Sequence, residues 1–326
     1  MLKRPIVIAL GGNAIKQSDE RGTTEEQFTN VDTAAKQIAG LVRDGFSVLV
    51  THGNGPQAGN LLIQQESGEE QSVPAQTLAA CGAMTQGQIG WMLQNRLAFR
   101  LRELGIEIPV CTVVTQVAVS ADDPDFQNPS KPVGPFYTPE EARLLEKNKG
   151  YTLREVKPGV PKSWRRVVPS PMPIEIIEKE SINSLLQRGS IVIASGGGGI
   201  PVVRSGDGSL QGIDAVIDKD RAGVVLAKAV GAVKLIILTD VEKVYLNYNT
   251  PEQREIDRMS IAQGEQYIKE GHFLKGSMGP KVEAALQFAA WDGGEAIITS
   301  LKSASDALQG KTGTRISRTA EKAAIV

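Results

Sequence analysis

Residues 6–14 read IVIALGGNA, a short apolar run that stops at the paired glycines Gly11 and Gly12, and this stretch decides the fold class. Two later runs end in the same way: VLVTHGNG spans residues 48–55, and IVIASGGGG spans residues 191–199. Short continuous apolar runs are typical of strands buried on both faces of a parallel sheet. Glycine lets main-chain N–H groups approach an anion without an intervening Cβ. We therefore predict several backbone cradles for phosphate at one edge of a parallel sheet, where open α/β sheets bind ligands.

Strand-type and helix-type segments alternate along the rest of the chain. Helices are predicted over residues 24–44, 75–104, 174–187, 220–230, 260–270 and 280–291, and strands over 46–51, 106–114, 190–194, 234–239 and 295–299. Such alternation predicts a largely parallel sheet that is covered on both faces.

One segment interrupts this pattern. Residues 120–172 are rich in proline and aromatic residues and keep no regular period, so we expect an inserted, partly β subdomain that acts as a lid over the glycine turns. The predicted layout is one domain over residues 1–317 that contains this insertion, followed by a tail over residues 318–326.

Composition argues against several classes of partner. The 326 residues include 36 Lys and Arg against 37 Asp and Glu, so no global field attracts the chain to nucleic acid or to an anionic membrane. No apolar run approaches the ~18 residues of a membrane span, and the run after Arg4 is shorter than the ~7–15 residues of a secretory signal core. Cys81 and Cys111 form no C-x-x-C pair, which favours reduced, buried thiols and a cytoplasmic location.

Two common phosphate-binding motifs are absent. A dinucleotide fingerprint requires G-x-G-x-x-G and an acidic residue at the end of the next strand, whereas the second predicted strand leads into His52. Gly310-Lys311-Thr312 hints at a Walker A loop, yet Ser305 stands where that motif needs glycine. The chain has only His52 and His272, which excludes a histidine-rich metal site, and we interpret His52 as a structural hydrogen-bonding residue.

Three lysines occur in unusual settings. Lys131 lies in the predicted lid, Lys219 lies between Asp218 and Asp220 at a predicted helix start, and Lys281 opens another helix. Each lysine taken singly is more often a solvated surface residue. The setting of Lys219 is stronger, because its flanking acids can fix its orientation while the helix N-terminus helps to hold phosphate. Phosphoryl transfer suits such a site, since its catalysis consists mostly of positioning and charge neutralisation.

Thr239 and Asp240 end another predicted strand. They either border the adenosine of a nucleotide or form a polar turn that caps a helix, and the residues alone favour neither interpretation.

Eight motifs, in order along nearly the whole chain, resemble the carbamate kinases of the amino-acid-kinase family. They are ALGGNA (9–14), HGNGPQ (52–57), KPVGPFY (131–137), WRRVVPSP (164–171), SGGGGIP (195–201), AVIDKD (215–220), LTDV (238–241) and GSMGPKV (276–282). The glycine turns alone indicate only the superfamily, whereas the motif around Lys131 indicates this member. The resemblance implies an α/β/α sandwich, a homodimer, and reversible phosphoryl transfer between ATP and carbamate. The products are ADP and carbamoyl phosphate, and Mg²⁺ is expected to bind through the nucleotide phosphates.

The resemblance also implies roles for individual residues. Carbamoyl phosphate is expected at Gly11, Gly12, Asn13, Gly53, Asn54 and Gly55, and the nucleotide at Gly196, Gly197, Thr239, Asp240, Tyr245 and Met278. Lys131 is expected to reach the substrate from the lid, Lys219 and Lys281 to neutralise the transferring group, and Asp220 to orient the lysines. Carbamate is already an anionic nucleophile, so its reaction needs alignment and charge compensation rather than a side-chain base.

Two other functions are compatible with the glycine turns. A related kinase could act on another small acid, such as an acetylated amino acid, although the lid motif argues against it. A nucleotide-binding regulator could keep the fold without catalysis, although the presence of all three lysines argues against that.

Overall fold

A large, mainly parallel sheet forms the centre of this computed structural model, which describes residues 4–274 and 277–320. The strands are β1 (Ile6–Leu10), β2 (Val48–His52), β3 (Val110–Val113), β4 (Gln116–Val119), β5 (Lys131–Tyr137), β6 (Leu153–Glu155), β7 (Trp164–Val168), β8 (Pro173–Ile176), β9 (Ile191–Ala194), β10 (Ile200–Arg204), β11 (Leu210–Gly212), β12 (Lys234–Thr239), β13 (Val244–Leu246), β14 (Arg254–Ile256), β15 (Arg258–Ser260), β16 (Glu295–Ser300) and β17 (Thr314–Ser317). The helices are α1 (Thr24–Arg43), α2 (Gly55–Glu70), α3 (Leu78–Glu103), α4 (Pro139–Lys149), α5 (Lys179–Gln187), α6 (Lys219–Ala229), α7 (Ile261–Lys269), α8 (Met278–Ala289) and α9 (Ala304–Leu308).

The central sheet has the strand order β15-β17-β16-β12-β1-β2-β9-β3. Neighbouring strands from β16 to β3 are parallel, whereas β17 runs antiparallel to β16 and parallel to β15. The carboxyl ends of β12, β1, β2 and β9 therefore meet at one edge, which is the edge where ligands bind in open α/β sheets.

Helices cover both faces of the sheet, which confirms the predicted three-layer α/β/α architecture. The side chains of β1 show how one strand serves both faces, because successive residues point to opposite sides. Ile6, Ile8 and Leu10 join the core formed with α1 and α3, whereas Val7 and Ala9 join the core formed with α6 and α8. All five side chains are buried, which is why β1 reads as an unbroken apolar run.

Several predicted boundaries are wrong, most clearly that of the helix predicted over residues 174–187. Pro173–Ile176 forms β8, which pairs with β4 at the edge of a second sheet of order β11-β10-β4-β8, and α5 begins only at Lys179. Proline suits an edge strand because it has no N–H to donate. The helix predicted from residue 75 begins at Leu78, where the Thr77 hydroxyl caps it, and the strand predicted over 106–114 spans only Val110–Val113.

The segment predicted as a partly β insertion contains a separate antiparallel sheet of order β5-β7-β6. It also contains the helix α4, which was not predicted. From here on, the name lid is used for residues 131–168, the part of the predicted 120–172 segment that holds this sheet and α4. The Tyr137 hydroxyl donates to Glu66 Oε1 at 2.9 Å, and Lys149 Nζ lies 2.7 Å from Glu69 Oε2, so the lid rests on α2. Of the predicted tail over 318–326, residues 321–326 lie outside the described residues.

The longest described helix, α3, packs closely against β3. It spans 26 residues and lies against Thr112 at Gly90, where an added Cβ would overlap the Thr112 side chain. Neither α3 nor any other helix in the described part of the chain has the length and apolarity needed to cross a membrane.

Replacing Gly90 by alanine is expected to lower the free energy of unfolding by about 1–3 kcal/mol, the usual cost of overpacking a dense core. Gly40→Ala in α1 is the matched control, because an added Cβ there meets no atom within 4 Å. Alanine at position 40 should stabilise α1 by up to ~1 kcal/mol through its higher helix propensity. Urea denaturation of both variants measures the difference, and equal stabilities would contradict the close packing of α3 on β3.

Candidate active site

The glycine turns after β1, β2 and β9 lie side by side because these strands are neighbours in the sheet. The closeness of the turns is clear at Gly53, where an added Cβ would lie 3.5 Å from the Gly12 nitrogen and 3.2 Å from Lys219 Cδ. The N–H of Gly53 itself donates to the Leu10 carbonyl at 3.0 Å. Gly53 therefore contributes space at this edge rather than a free N–H group.

The second turn leads directly into α2, whose first N–H groups have no acceptor within the helix. Asn54 occupies the N-cap position, yet its side chain makes no capping hydrogen bond. Its Nδ2 instead donates to Thr85 Oγ1 at 3.2 Å. Uncapped N–H groups and the positive end of the helix dipole favour an anion beside Gly55. No pattern in the sequence indicates Thr85, a buried polar residue in the N-terminal half of α3.

Two of the predicted lysines converge on one carboxylate. Asp220 is 3 % exposed, and it contacts Lys219 Nζ through Oδ1 at 2.5 Å and Lys281 Nζ through Oδ2 at 3.2 Å. The two lysine side chains are 14 % and 17 % exposed, so solvent screens their charges only in part. Two ammonium groups around one carboxylate leave a net positive charge at the edge of the sheet.

The third lysine, Lys131, reaches the same place from the lid. Its Nζ lies 3.1 Å from Asp218 Oδ2, while Asp218 Oδ1 accepts from the N–H groups of Asp220 at 2.9 Å and Arg221 at 3.3 Å. Burial of Asp218 disfavours its charged form, but Lys131 and the Asp220 N–H outweigh that effect and hold the pKa of the carboxyl below its usual value. The structure thus brings all three lysines to residues 218–220.

A cavity of about 150 Å³ lies beyond the end of β12, and four of the six residues assigned to the nucleotide line it. These residues are Thr239, Asp240, Tyr245 and Met278. Tyr248 and Phe273, which the sequence did not indicate, add aromatic surface to its walls. Apolar and aromatic walls with a few polar groups are typical of small-molecule sites and suit a purine base.

A hydrogen bond connects this cavity with the first glycine turn. Asn13 Nδ2 donates to Asp240 Oδ2 at 2.6 Å. A larger cavity of about 440 Å³ lies on the α1 side, and Asn13 and Asp240 both line it. The two ends of the candidate site are therefore in direct contact through side chains.

Gly196 and Gly197 are not among the residues that line the cavity around Tyr245. An added Cβ on Gly196 would collide with the His52 imidazole, and one on Gly197 would collide with the Asn54 amide. Gly197 also has φ of +67°, a left-handed conformation that favours glycine. Both glycines therefore pack closely against residues of the second turn. A glycine needed for close packing and a glycine needed for a ligand look the same in a sequence.

His52 is a buried and neutral group in this packing. Its Nδ1 lies 2.8 Å from the Gly53 carbonyl oxygen, which can only accept, so Nδ1 carries the proton. Burial lowers the pKa of His52 to about 4, and the charge of Lys219 adds to this effect while the bond to Gly53 opposes it. His52 therefore stays uncharged near neutral pH.

Stability is expected to depend on pH through His52. Its pKa is about 4 in the folded protein against 6.5 for the ordinary group, so below pH 6.5 the unfolded chain binds the proton more readily. The free energy of unfolding should fall by about 2 kcal/mol between pH 7 and pH 5 from this residue alone. His52→Asn, whose amide can still donate to the Gly53 carbonyl, should lose that part of the slope in urea denaturation at the two pH values. His272→Asn serves as the control, and an unchanged slope in His52→Asn would contradict the account.

The chain is similar to known proteins over nearly its whole length. Residues 4–300 match the model of the amino acid kinase family. The carbamate kinase of Thermococcus kodakarensis is 51 % identical over 315 residues, which cover 96 % of this chain and 99 % of that protein. Carbamate kinase 2 of Enterococcus faecalis is 52 % identical over 297 residues, which cover 91 % of this chain and 93 % of that protein. A solved structure of carbamate kinase from Giardia lamblia bound to AMP-PNP has a TM-score of 0.90 at 43 % identity, covering 96 % of this chain and 98 % of that one.

Proposed function

Because this chain belongs to the amino acid kinase family, we infer that it catalyses reversible phosphoryl transfer between ATP and carbamate, which gives ADP and carbamoyl phosphate. Relatives named carbamate kinase share about half of its residues over nearly its whole length. The structural observation that carries the inference is the meeting of Lys131, Lys219 and Lys281 at residues 218–220, beside the uncapped start of α2.

We propose that the two substrates occupy opposite ends of this site. Carbamoyl phosphate lies over the first two glycine turns, against Gly11, Gly12, Asn13, Gly53, Asn54 and Gly55. The nucleotide lies in the cavity bordered by Thr239, Asp240, Tyr245 and Met278. Gly196 and Gly197 are proposed to contact the nucleotide through their main chain, since His52 and Asn54 leave room for no side chain at either position.

The lysines supply the catalysis in this proposal. Lys219 and Lys281 neutralise the negative charge that is spread over the phosphoryl oxygens during transfer, and Lys131 does so from the lid side. Asp220 contacts both Lys219 and Lys281, so it fixes the distance between their ammonium groups. Carbamate is an anion already, and the substrates need alignment rather than deprotonation by a side chain.

We propose that Mg²⁺ enters this site with the nucleotide. The described residues contain no group of three or more His, Cys, Asp or Glu side chains that could hold a metal ion, and Asp220 is already paired with two lysines. The site fits an ion that keeps several waters and binds mainly through substrate phosphates, as Mg²⁺ does in many phosphoryl-transfer enzymes. When bound, the ion neutralises part of the phosphate charge.

The cytoplasm is the proposed place of action. Both cysteines are free thiols. Burial raises the pKa of Cys81 and of Cys111, so neither has the character of a reactive thiolate. Unpaired, unreactive thiols agree with a reducing compartment.

Lys131→Ala is expected to lower turnover by about 10²–10³-fold, the scale for the loss of one preorganised charge-stabilising donor. Lys147→Ala is the matched control, because Lys147 is an exposed lysine of the same lid, on α4. Turnover is measured as ATP formed from ADP and carbamoyl phosphate with Mg²⁺, beside controls that lack either substrate. Near-normal turnover in Lys131→Ala would contradict its role.

Phosphorylation of an acetylated amino acid but not of carbamate in a substrate panel would contradict the proposed function.

We propose that two copies of the chain associate through α3. Met84, Trp91 and Phe99 follow one another at spacings of about two helical turns, so they lie on one face of α3, and all three are exposed. Trp91 is 55 % exposed although its ring packs edge-on against Phe28 with 5.1 Å between the centroids. Exposed apolar surface of this kind marks interaction sites.

Trp91→Glu is expected to convert the dimer into a monomer, because it places a charge at the centre of the apolar face. Sedimentation velocity measures the mass in solution. Leu144→Glu, at an exposed apolar position on α4 of the lid, is the control and should leave the mass unchanged. A dimer that persists in Trp91→Glu would exclude this face as the interface.

A further inference from the structure

The two oxygens of Asp218 have different partners. Oδ1 accepts from the N–H groups of Asp220 and Arg221 and so caps α6, whereas Oδ2 is bonded to the ammonium group of Lys131. Capping alone does not require a carboxylate, because serine, threonine and asparagine cap helices about as well as aspartate. Hydroxyl groups cap α1 and α7 of this chain, at Thr23 and Ser260. The charge and the second oxygen of Asp218 are therefore available for another purpose.

The contact between Lys131 and Asp218 differs from the other polar contacts that hold the lid. Tyr137 and Lys149 bind side chains of α2, and Arg166 binds Asp214 at 3.1 Å. Lys131 instead reaches the start of α6, the segment that also carries Lys219 and Asp220. Among these contacts it is the one that connects the lid to the lysine cluster.

Lys131 is also more exposed than the other two lysines of the cluster. Its side chain is 38 % exposed, so an incoming anion can reach the ammonium group. An ammonium group has three donors and can bind Asp218 and a phosphate oxygen at the same time. Asp218 can therefore fix the position of Lys131 without blocking its contact with a substrate.

We propose that Asp218 is a positioning residue, which holds the lid lysine Lys131 over the lysine cluster before the phosphoryl substrate arrives. The inference rests on the proposed phosphoryl transfer and extends it. Without this contact, Lys131 would be ordered only when the substrate binds, and the substrate would have to bear the entropy cost of ordering a long side chain.

Asp218→Asn tests this role because asparagine keeps the shape and the capping oxygen but removes the charge. In the wild-type background, kcat for ATP formation is expected to fall about tenfold, an effect of the size that double-mutant cycles give for two residues in contact. In the Lys131→Ala background, the same substitution is expected to change kcat less than about twofold. An equal loss of kcat in both backgrounds would show a structural role that is independent of Lys131, and would overturn the proposal.

A second measurement does not depend on activity. Hydrogen exchange of residues 131–137 in the substrate-free protein should be faster in Asp218→Asn and in Lys131→Ala than in the wild type. Exchange in the double variant should be no faster than in the faster of the two single variants. Asp214→Asn, which removes a different lid contact, is the control, and its effect should add to that of Lys131→Ala. Unchanged exchange in Asp218→Asn would overturn the proposal. If the wild-type protein makes no ATP, the proposed function fails, yet the exchange data still decide whether Asp218 holds Lys131.

Discussion

The candidate site depends on the buried carboxylate of Asp220. Two lysine ammonium groups repel each other when they approach at the edge of a sheet that is partly shielded from water. Asp220 lies between Lys219 and Lys281 and binds one with each oxygen, so it compensates this repulsion. The dependence is mutual, because a carboxylate that is almost completely buried is itself stable only when it is paired. The three side chains are best understood as one unit.

The topology explains why this unit faces the glycine turns. Lys219 and Asp220 begin α6, and Lys281 lies in the first turn of α8, which packs beside α6 on the same face of the sheet. Helix α6 contacts β1 and β2, whose ends carry the first two turns. The main-chain N–H groups at the start of α2 and the positive side chains thus approach the same space from different elements.

The sequence predicted those parts of the fold that depend on local patterns. Strands β1, β2, β9, β12 and β16 were evident because burial on both faces demands continuous apolar residues. Helix α2 was missed because its glycine-rich and glutamine-rich sequence shows no clear apolar face. The contacts of Lys131 with Asp218 and of Tyr137 with Glu66 join residues 87 and 71 positions apart, and no local pattern encodes such separations. The flanking residues single out the three lysines, but only the family resemblance implies that the lysines act at one site.

The packing of the glycine run after β9 has a consequence for how such proteins are compared. Residues 196 and 197 have no room for any side chain, because an imidazole and an amide occupy the space. Saturation mutagenesis of this loop would therefore report severe loss of activity at both positions, even if neither ever touches a ligand. For the same reason, invariance of these glycines in an alignment would not show that either of them contacts a ligand. At these two positions, tolerance to substitution reports the space that neighbouring residues leave for a side chain. A structure with a bound ligand is what distinguishes a glycine that contacts the ligand from one that only packs against its neighbours.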